Sequence, residues 1–204
     1  APKRACLPTR NMAIPRGDCR RCIVSRYPGG KIAVIDYNAI DYRCIVASLG
    51  AEGGPYIGAD DFHDVTLRLL EGAGVRLGRA TVKALTYSHA YGGSIDTVCR
   101  TTGLTREAAE RGRAVLDNIL PGISAIRNRL HAAALRDERV TLPSGRTVPI
   151  SEDPHPGKVL GLYAQGFSSE VFERGLIAID REGLIHRAIL TVHDEVVLDL
   201  PPDH

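Results

Sequence analysis

The chain has 204 residues, 44% of them apolar and 25% charged, which is enough for a real core in one good-sized domain or two small ones. No run approaches the roughly 18 consecutive apolar residues of a membrane span, and the N-terminal APKRACLPTRNM carries charge with no apolar stretch behind it. A spanning segment and a secretory leader are therefore not expected, and the cytoplasm is the default compartment. The net charge of +2 decides little. Its distribution says more: Lys and Arg gather in 2–31 and 100–146, while several acids sit singly among apolar residues, as in a polyanion-binding metal enzyme and in many ordinary soluble proteins.

In chain order, residues 1–30 are rich in Pro, Arg and Gly and read as extended or loop-like. KIAVIDY (31–37) is a short β-branched run ending in an acid, expected to be a buried strand. IDYRCIVASL (40–49) has helical spacing, and GAEGGPYIG (50–58) reads as a loop. DDFHDVTLRLLEG (60–72) is an amphipathic helix with acids in its first turn. A further helix is predicted from Arg79 to Tyr91, closed by Gly92-Gly93. LTREAAERGRAVLDNIL (104–120) is capped by Thr105, stopped by Pro121-Gly122, and leads into another helix, ISAIRNRLHAAAL. RVTLPSGRTVPI is a hairpin around Pro-Ser-Gly. VLGLYAQGFSSEVFERGLIAID is one long helix despite its two glycines, and LIHRAILTVHDEVVLDLP closes the chain as two strands around a turn at His193-Asp194. The order is mixed, without regular βαβ alternation, so the fold class is α+β. The five cysteines are scattered, and Cys19-x-x-Cys22 has neither a second pair nor a spaced histidine, so reduced thiols are expected rather than zinc.

Three stretches make chemical sense together: DYNAIDYR (36–43), RATVKALTYSHAYGG (79–93) and VHDE (192–195). Taken singly, an acid at a strand end is a turn residue, an Arg/Lys/Tyr/Tyr stripe is a solvated helix face, and an HDE turn is polar surface. Jointly they complement one another. Asp36 and Asp194, from two strand ends, could share a pair of Mg²⁺ ions about 3.5–4 Å apart. Arg79, Lys83, Tyr87 and Tyr91 lie four apart along one helix stripe, with two cations for a triphosphate and two flat rings for a base or sugar. That combination describes nucleotidyl transfer.

The same segments resemble motifs A, B and C of the family A DNA polymerases, the group that contains bacterial DNA polymerase I and many phage replicases. Asp36-Tyr37-Asn38-Ala39-Ile40-Asp41-Tyr42-Arg43 is similar to their Asp-Tyr-Ser-x-Ile-Glu-x-Arg. Arg79, Lys83, Tyr87, Tyr91 and Gly92 match Arg-x3-Lys-x3-Phe/Tyr-x3-Tyr-Gly without a gap, and His193-Asp194-Glu195 matches the third motif. IPRGDCRR, DDFHD and AQGFSSEVF resemble flanking segments, and TLPSGR is closest to the compact phage-type members.

The resemblance implies a polymerase palm, a small antiparallel sheet with packed helices, plus helical fingers. The palm would comprise 1–50 with motif A and 136–204 with motif C, and the fingers 51–135 with the motif B helix. It implies Asp36 and Asp194 as metal ligands with the Tyr37 carbonyl, Glu195 as an accessory carboxylate, and two Mg²⁺ ions for which Mn²⁺ could substitute. Arg79, Lys83 and His63 would contact the triphosphate, Lys83 also protonating the leaving pyrophosphate. Tyr87 would pack on the incoming sugar and base, and Asp41 would shield the sugar 2′ position. Tyr91, His193, Gln165 and Arg16 would lie against primer and template.

The expected partners are primer-template DNA, dNTPs and a separate chain or accessory protein carrying thumb or exonuclease segments; no membrane is expected. Two departures stand out. Asp41 replaces the usual Glu, which weakens the expected exclusion of ribonucleotides. Gly157 and Gly161 stand about where the family often has Arg and Asn, which removes template or primer contacts. The rival readings are a single-subunit RNA polymerase, against which Asp41 and Glu195 argue, and a non-catalytic primer-template-binding fragment.

Overall fold

The computed structural model describes residues 21–50, 58, 61–151 and 154–203. They form β1 (Lys31–Asp36), α1 (Ile40–Ala47), α2 (Phe62–Gly72), α3 (Arg79–Ala90), α4 (Ile95–Thr102), α5 (Arg106–Ile119), α6 (Gly122–Asp137), β2 (Arg139–Thr141), β3 (Thr147–Pro149), α7 (Pro156–Arg181), a 3₁₀ turn (Ile185–Arg187), β4 (Ala188–Val192) and β5 (Glu195–Leu200). The α+β class is therefore observed, and every predicted strand and helix is present. The expected loop at 50–58 and the N-terminal stretch up to residue 20 fall mostly outside the described residues. Contacts divide the chain into two units, one of Ala1–Tyr37 with Phe172–His204 and one of Asn38–Val171.

The first unit is built on a three-stranded sheet of order β1-β5-β4, with both pairings antiparallel. β5 is central, and its residues from Glu195 to Asp199 are all buried. β1 was expected to be a buried strand; among the described residues it is an edge strand, with Val34 49% and Ile35 46% exposed. A short β-branched run fits either position, because its apolar content reports half-burial as readily as full burial. A register break between Ala188 and Leu190 marks a bulge in β4.

The second unit is helical with a small β2–β3 hairpin, in which Gly145 takes φ 88° at the Pro-Ser-Gly turn. One buried cluster gathers Tyr42, Ile45, Phe62, Leu120, Ile123 and Leu160; another gathers Leu70, Val82, Leu85, Val98 and Leu116. Each fully buried large side chain contributes roughly 1.5–3 kcal/mol of transfer free energy.

The sequence reading did not mark α4. Five of its eight residues are β-branched, so intrinsic propensity is poor. Its ends supply what propensity lacks. The Ser94 hydroxyl accepts from the Thr97 N–H at 3.2 Å, and Gly103 closes it at φ 73°. Burial of Val98 then fixes it.

Candidate active site

In the sheet unit the strand pairing brings the two acids of the first and third motifs together. Asp36 lies directly opposite Glu195 in the β1–β5 register. One step further, the Tyr37 N–H donates to the Asp194 carbonyl at 3.4 Å. Residues 158 positions apart in the sequence (194 minus 36) are thus neighbours at one end of one ladder. Asp36 is exposed, Asp194 half-buried and Glu195 6% exposed.

The turn that presents Asp194 is tight. His193 occupies the left-handed region at φ 55°, where a β-carbon costs about 1–2 kcal/mol. Strain of this kind persists only where the surrounding structure imposes it, and it concentrates at functional sites. Ala39, between the first motif's two acids, has φ 52° and begins α1 with no side-chain cap. The Tyr37 ring meets Phe172 edge-on, with centroids 6.4 Å apart.

Among the described residues no group of three or more His, Cys, Asp or Glu side chains is arranged to hold a metal ion. The candidate donors are instead two carboxylates and the backbone carbonyl of Tyr37. They suit a hard, oxygen-seeking cation in kind. Glu195, opposite Asp36 in the register, adds a third acid at this end of the ladder.

In the helical unit the second motif sits on α3 as its spacing predicts. Arg79, in the first turn, is held by two carboxylates of the preceding helix. Its guanidinium bonds the Asp61 carboxylate, and its Nε donates to Asp64 at 3.1 Å. Asp61 is at the same time the N-cap of α2, accepting from the His63 and Asp64 N–H groups at 2.8 and 3.1 Å. The DDFHD acids, expected as a favourable first turn and a match to a flanking segment, also set the direction of Arg79. Lys83 is exposed.

One turn on, Tyr87 joins an aromatic group. Its ring centroid is 5.9 Å from His63, 5.8 Å from Tyr42 and 6.1 Å from Tyr91, the last nearly parallel at 15°. His63 is buried and neither ring nitrogen has a hydrogen-bond partner. Burial, followed by the neighbouring Lys83 charge, depresses its pKa below the ordinary histidine value, so it is neutral near pH 7. Tyr91 is half-buried; burial, then the nearby Asp41 carboxylate, raises its hydroxyl pKa. Asp41 itself accepts from the Ser168 hydroxyl of α7.

The last turn of α3 is fixed by residues the sequence reading passed over. The Arg127 guanidinium of α6 donates to the carbonyls of His89 and Ala90 at 3.0 and 2.9 Å, satisfying helix-end acceptors. Arg113 of α5 does the same for Gly93. Gly92 follows at φ 71°, and a β-carbon there would lie 3.1 Å from the Arg127 Nε, so both backbone and space call for glycine. Basic residues 20 and 38 positions away leave no local pattern, so periodicity could not find them. Gln165 is exposed on α7, and Arg16 lies outside the described residues.

The described residues thus present two constellations: paired acids on a small sheet, and an Arg/Lys/aromatic helix in a helical unit. The fold agrees. The chain superimposes on the POL domain of Pol1 from M. smegmatis, solved as a complex with DNA primer-template and dNTP, with a TM-score of 0.69 at 22% identity, covering 92% of this chain and 37% of that one. It thus has the fold of a polymerase domain.

Sequence comparison points the same way. The chain is 27% identical to the DNA polymerase of Mycobacterium phage D29 over 97% of its length and 25% identical to that of Mycobacterium phage L5 over 89%. It is 28% identical to DNA polymerase I of Pseudomonas aeruginosa over 86%. It spans 33% and 30% of the two phage relatives and 21% of the bacterial one. No protein-family model matches it. The resemblance to family A DNA polymerases read from the motifs is borne out by these relatives, phage-type ones among them. Among the described residues no helix is long and apolar enough to cross a membrane.

Proposed function

We propose that this chain is the catalytic part of a template-directed DNA polymerase, adding dNTPs to a primer 3′-hydroxyl. The observation that carries the reading is the strand pairing that sets Asp36 beside Asp194 and Glu195. Within it, 1–50 and 136–204 form the palm and 51–135 the fingers.

Asp36 and Asp194, with the Tyr37 carbonyl, would hold Mg²⁺ or Mn²⁺. When bound, the ions supply a more acidic primer hydroxyl and charge stabilisation for the departing pyrophosphate. The remaining work belongs to the chain's own groups. Arg79 and Lys83 neutralise the triphosphate, Arg79 exchanging its carboxylate partners for phosphate oxygens. Lys83 delivers the proton that the pyrophosphate oxygen takes up as its bond to the α-phosphorus breaks. The neutral His63 ring, buried without hydrogen bonds, offers an N–H to a triphosphate oxygen once that oxygen reaches it.

Tyr87 gives a flat face to the incoming sugar and base, and Asp41 excludes a 2′-hydroxyl. Tyr91 and Gln165 meet the templating base and the nascent pair, and His193 and Arg16 the primer side. Glu195 orients the acidic pair from its buried position.

Primer extension by the purified chain with Mg²⁺, run in parallel with dNTPs and rNTPs, tests the reading. Extension with dNTPs that is lost in Asp36→Ala and in Asp194→Ala supports it. Extension that survives either substitution refutes the site, and preference for rNTPs would indicate an RNA polymerase.

A further inference from the structure

We infer that Arg127 of α6 is a positioning residue for the incoming nucleotide: by holding the last turn of α3 it sets where Tyr87 and Tyr91 stand. This rests on the polymerase reading above and carries it to a residue outside the three motifs.

The starting point is the inner face of α6. Ile123, Ile126, Leu130 and Ala134 recur at three and four and pack in one buried cluster. Position 127 falls on the same stripe, where packing alone would place leucine or methionine, yet it carries a guanidinium. Keeping a cation half-buried there is costly. Burial, and after it the charge of Arg113, pull the Arg127 pKa below the ordinary arginine value. The nearby acid, Asp117, is taken by the His89 Nε2 at 2.8 Å.

The donors of Arg127 go elsewhere. One terminal nitrogen donates to the His89 and Ala90 carbonyls at 3.0 and 2.9 Å, and the other to the Ser124 hydroxyl at 3.3 Å. The guanidinium is thus braced on the first turn of its own helix and aimed at the end of another. The carbonyls it meets are the negative pole of α3. The basic residue in that last turn, His89, is buried with its pKa pulled down, chiefly by burial, so it is a poor source of compensating charge. Arg127 supplies the cation from outside.

What that helix end presents is the tyrosine pair. The Tyr91 N–H donates to the Tyr87 carbonyl at 3.0 Å, and the two rings lie 15° from parallel. Directly after Tyr91 the chain turns at Gly92, φ 71°, and the Arg127 Nε lies 3.1 Å from where a β-carbon would stand. The guanidinium therefore fills the inside of the turn and fixes the residue at which α3 stops. At the other end of α3, Arg79 is held by carboxylates that phosphate can displace. The oxygens held by Arg127 are neutral, and a nucleotide has no reason to replace them. Its influence on substrate passes through the rings. Stacking on those rings is binding that precedes the chemical step, whereas Lys83, Asp36 and Asp194 carry the step itself. Loss of Arg127 should therefore appear in KM for the dNTP and not in kcat.

The test is steady-state primer extension by the parent chain and by Arg127→Met, Arg127→Gln and Arg127→Lys. It is run beside calorimetric titration of dNTP into each chain bound to primer-template with a dideoxy-terminated primer. Arg127→Met fills the apolar stripe and removes the donors. It should melt near the parent temperature, raise KM and the dNTP dissociation constant about tenfold, and leave kcat within about twofold. Arg127→Lys, which keeps the charge and can reach a carbonyl, should restore KM to within about threefold of the parent. Arg127→Gln keeps one amide donor, should fall between Met and Lys, and replaces Arg127→Met if that variant does not fold.

A folded Arg127→Met, or Arg127→Gln in its place, with the parent's KM overturns the inference while primer extension by the parent leaves the polymerase reading intact. A joint fall of kcat, dNTP affinity and melting temperature would make Arg127 a residue of the fold alone and overturns it too. A parent chain that extends no primer but binds dNTP, with affinity lost in Arg127→Met, would overturn the polymerase reading and leave the positioning role standing. A parent chain that neither extends nor binds would overturn both.

Discussion

The two ends of the β1–β5 ladder treat acidic residues in opposite ways. At one end Asp199, opposite Ile32, is 2% exposed and fully engaged. The Ser25 hydroxyl donates to it at 2.6 Å, and the Arg26 Nε and backbone N–H at 2.8 and 3.2 Å. These bonds, the Ser25 one foremost, hold its pKa below the ordinary aspartate value. At the other end Asp36 faces Glu195 with Asp194 alongside, and the Asp36 carboxylate has no ion-pair partner among the described residues. Same strands, same residue type, two designs. The first spends its carboxylate on folding, pinning the segment before β1 to the end of β5. The second gathers three acids, Asp36, Asp194 and Glu195, around a strained turn, where the proposed reaction would use charge.

The sharpest way to break this comparison is to remove one acid from each end. Asp36→Ala or Asp194→Ala should cut primer extension by on the order of 10³ or more, as expected for a group acting on charge that develops in the transition state. Thermal stability should hold or rise slightly, because relieving cross-strand like-charge contact is worth about 0.2–1 kcal/mol. Asp199→Asn should do the reverse, lowering the melting temperature while activity per folded molecule is kept. Its acid dependence follows from the sign of the shift. The folded pKa lies below the unfolded one, so this stabilisation is present at neutral pH and is lost as pH falls through the folded value. Thermal melts across pH, with extension assays at one pH, check both. If Asp36→Ala destabilised the chain as Asp199→Asn does, the functional assignment of that end would fail.

Neither end was equally legible in the sequence. The His-Asp-Glu end was visible because its chemistry is compressed into short motifs, and because both segments read as strands that the resemblance puts in one small antiparallel sheet. Asp199 was not singled out. Its partners Ser25 and Arg26 are more than 170 positions away, and an acid inside an apolar strand gives no hint of which distant residue satisfies it. The same holds for Arg127 and Arg113 on the end of α3. Periodicity reports which face of an element is buried, whereas long-range polar partners depend on tertiary placement that no local window contains. The edge position of β1 was missed for a related reason: strand order is a property of the sheet, not of the strand.

The helical unit offers a middle-sized test in His63, a buried ring whose two nitrogens have no hydrogen-bond partner among the described residues. Replacing it with Phe removes two unsatisfied nitrogens and should raise stability by about 1 kcal/mol. The pH dependence should flatten too. A histidine with a depressed folded pKa binds its proton more readily when unfolded, so stability is complete above the unfolded value and declines as pH drops below about 6.5. His89 is shifted downward as well, chiefly by burial, so part of that acid sensitivity should remain after the substitution. Activity should move the other way, with a higher KM for dNTPs if the ring meets a triphosphate oxygen. Urea titrations at pH 7 and 5.5 with steady-state extension kinetics separate the two effects; a KM that does not change would make His63 a packing residue.

The smallest effect is expected at His193, and there the sign carries the information. Glycine relieves the left-handed backbone at φ 55°, worth about 1–2 kcal/mol, but loses about 0.5–1 kcal/mol through its greater freedom in the unfolded chain. The net for His193→Gly lies between about 0 and 1.5 kcal/mol of gain, small but opposite in direction to most substitutions. A turn that served folding alone would already carry glycine or asparagine. If the imidazole meets the primer, His193→Gly should raise the melting temperature while weakening kcat/KM for primed template, and His193→Asn, which tolerates the same backbone, should match it in stability and in lost activity. A variant as active as the parent would mean that the strain at this turn positions Asp194 alone, and that the side chain at 193 contributes nothing to the reaction.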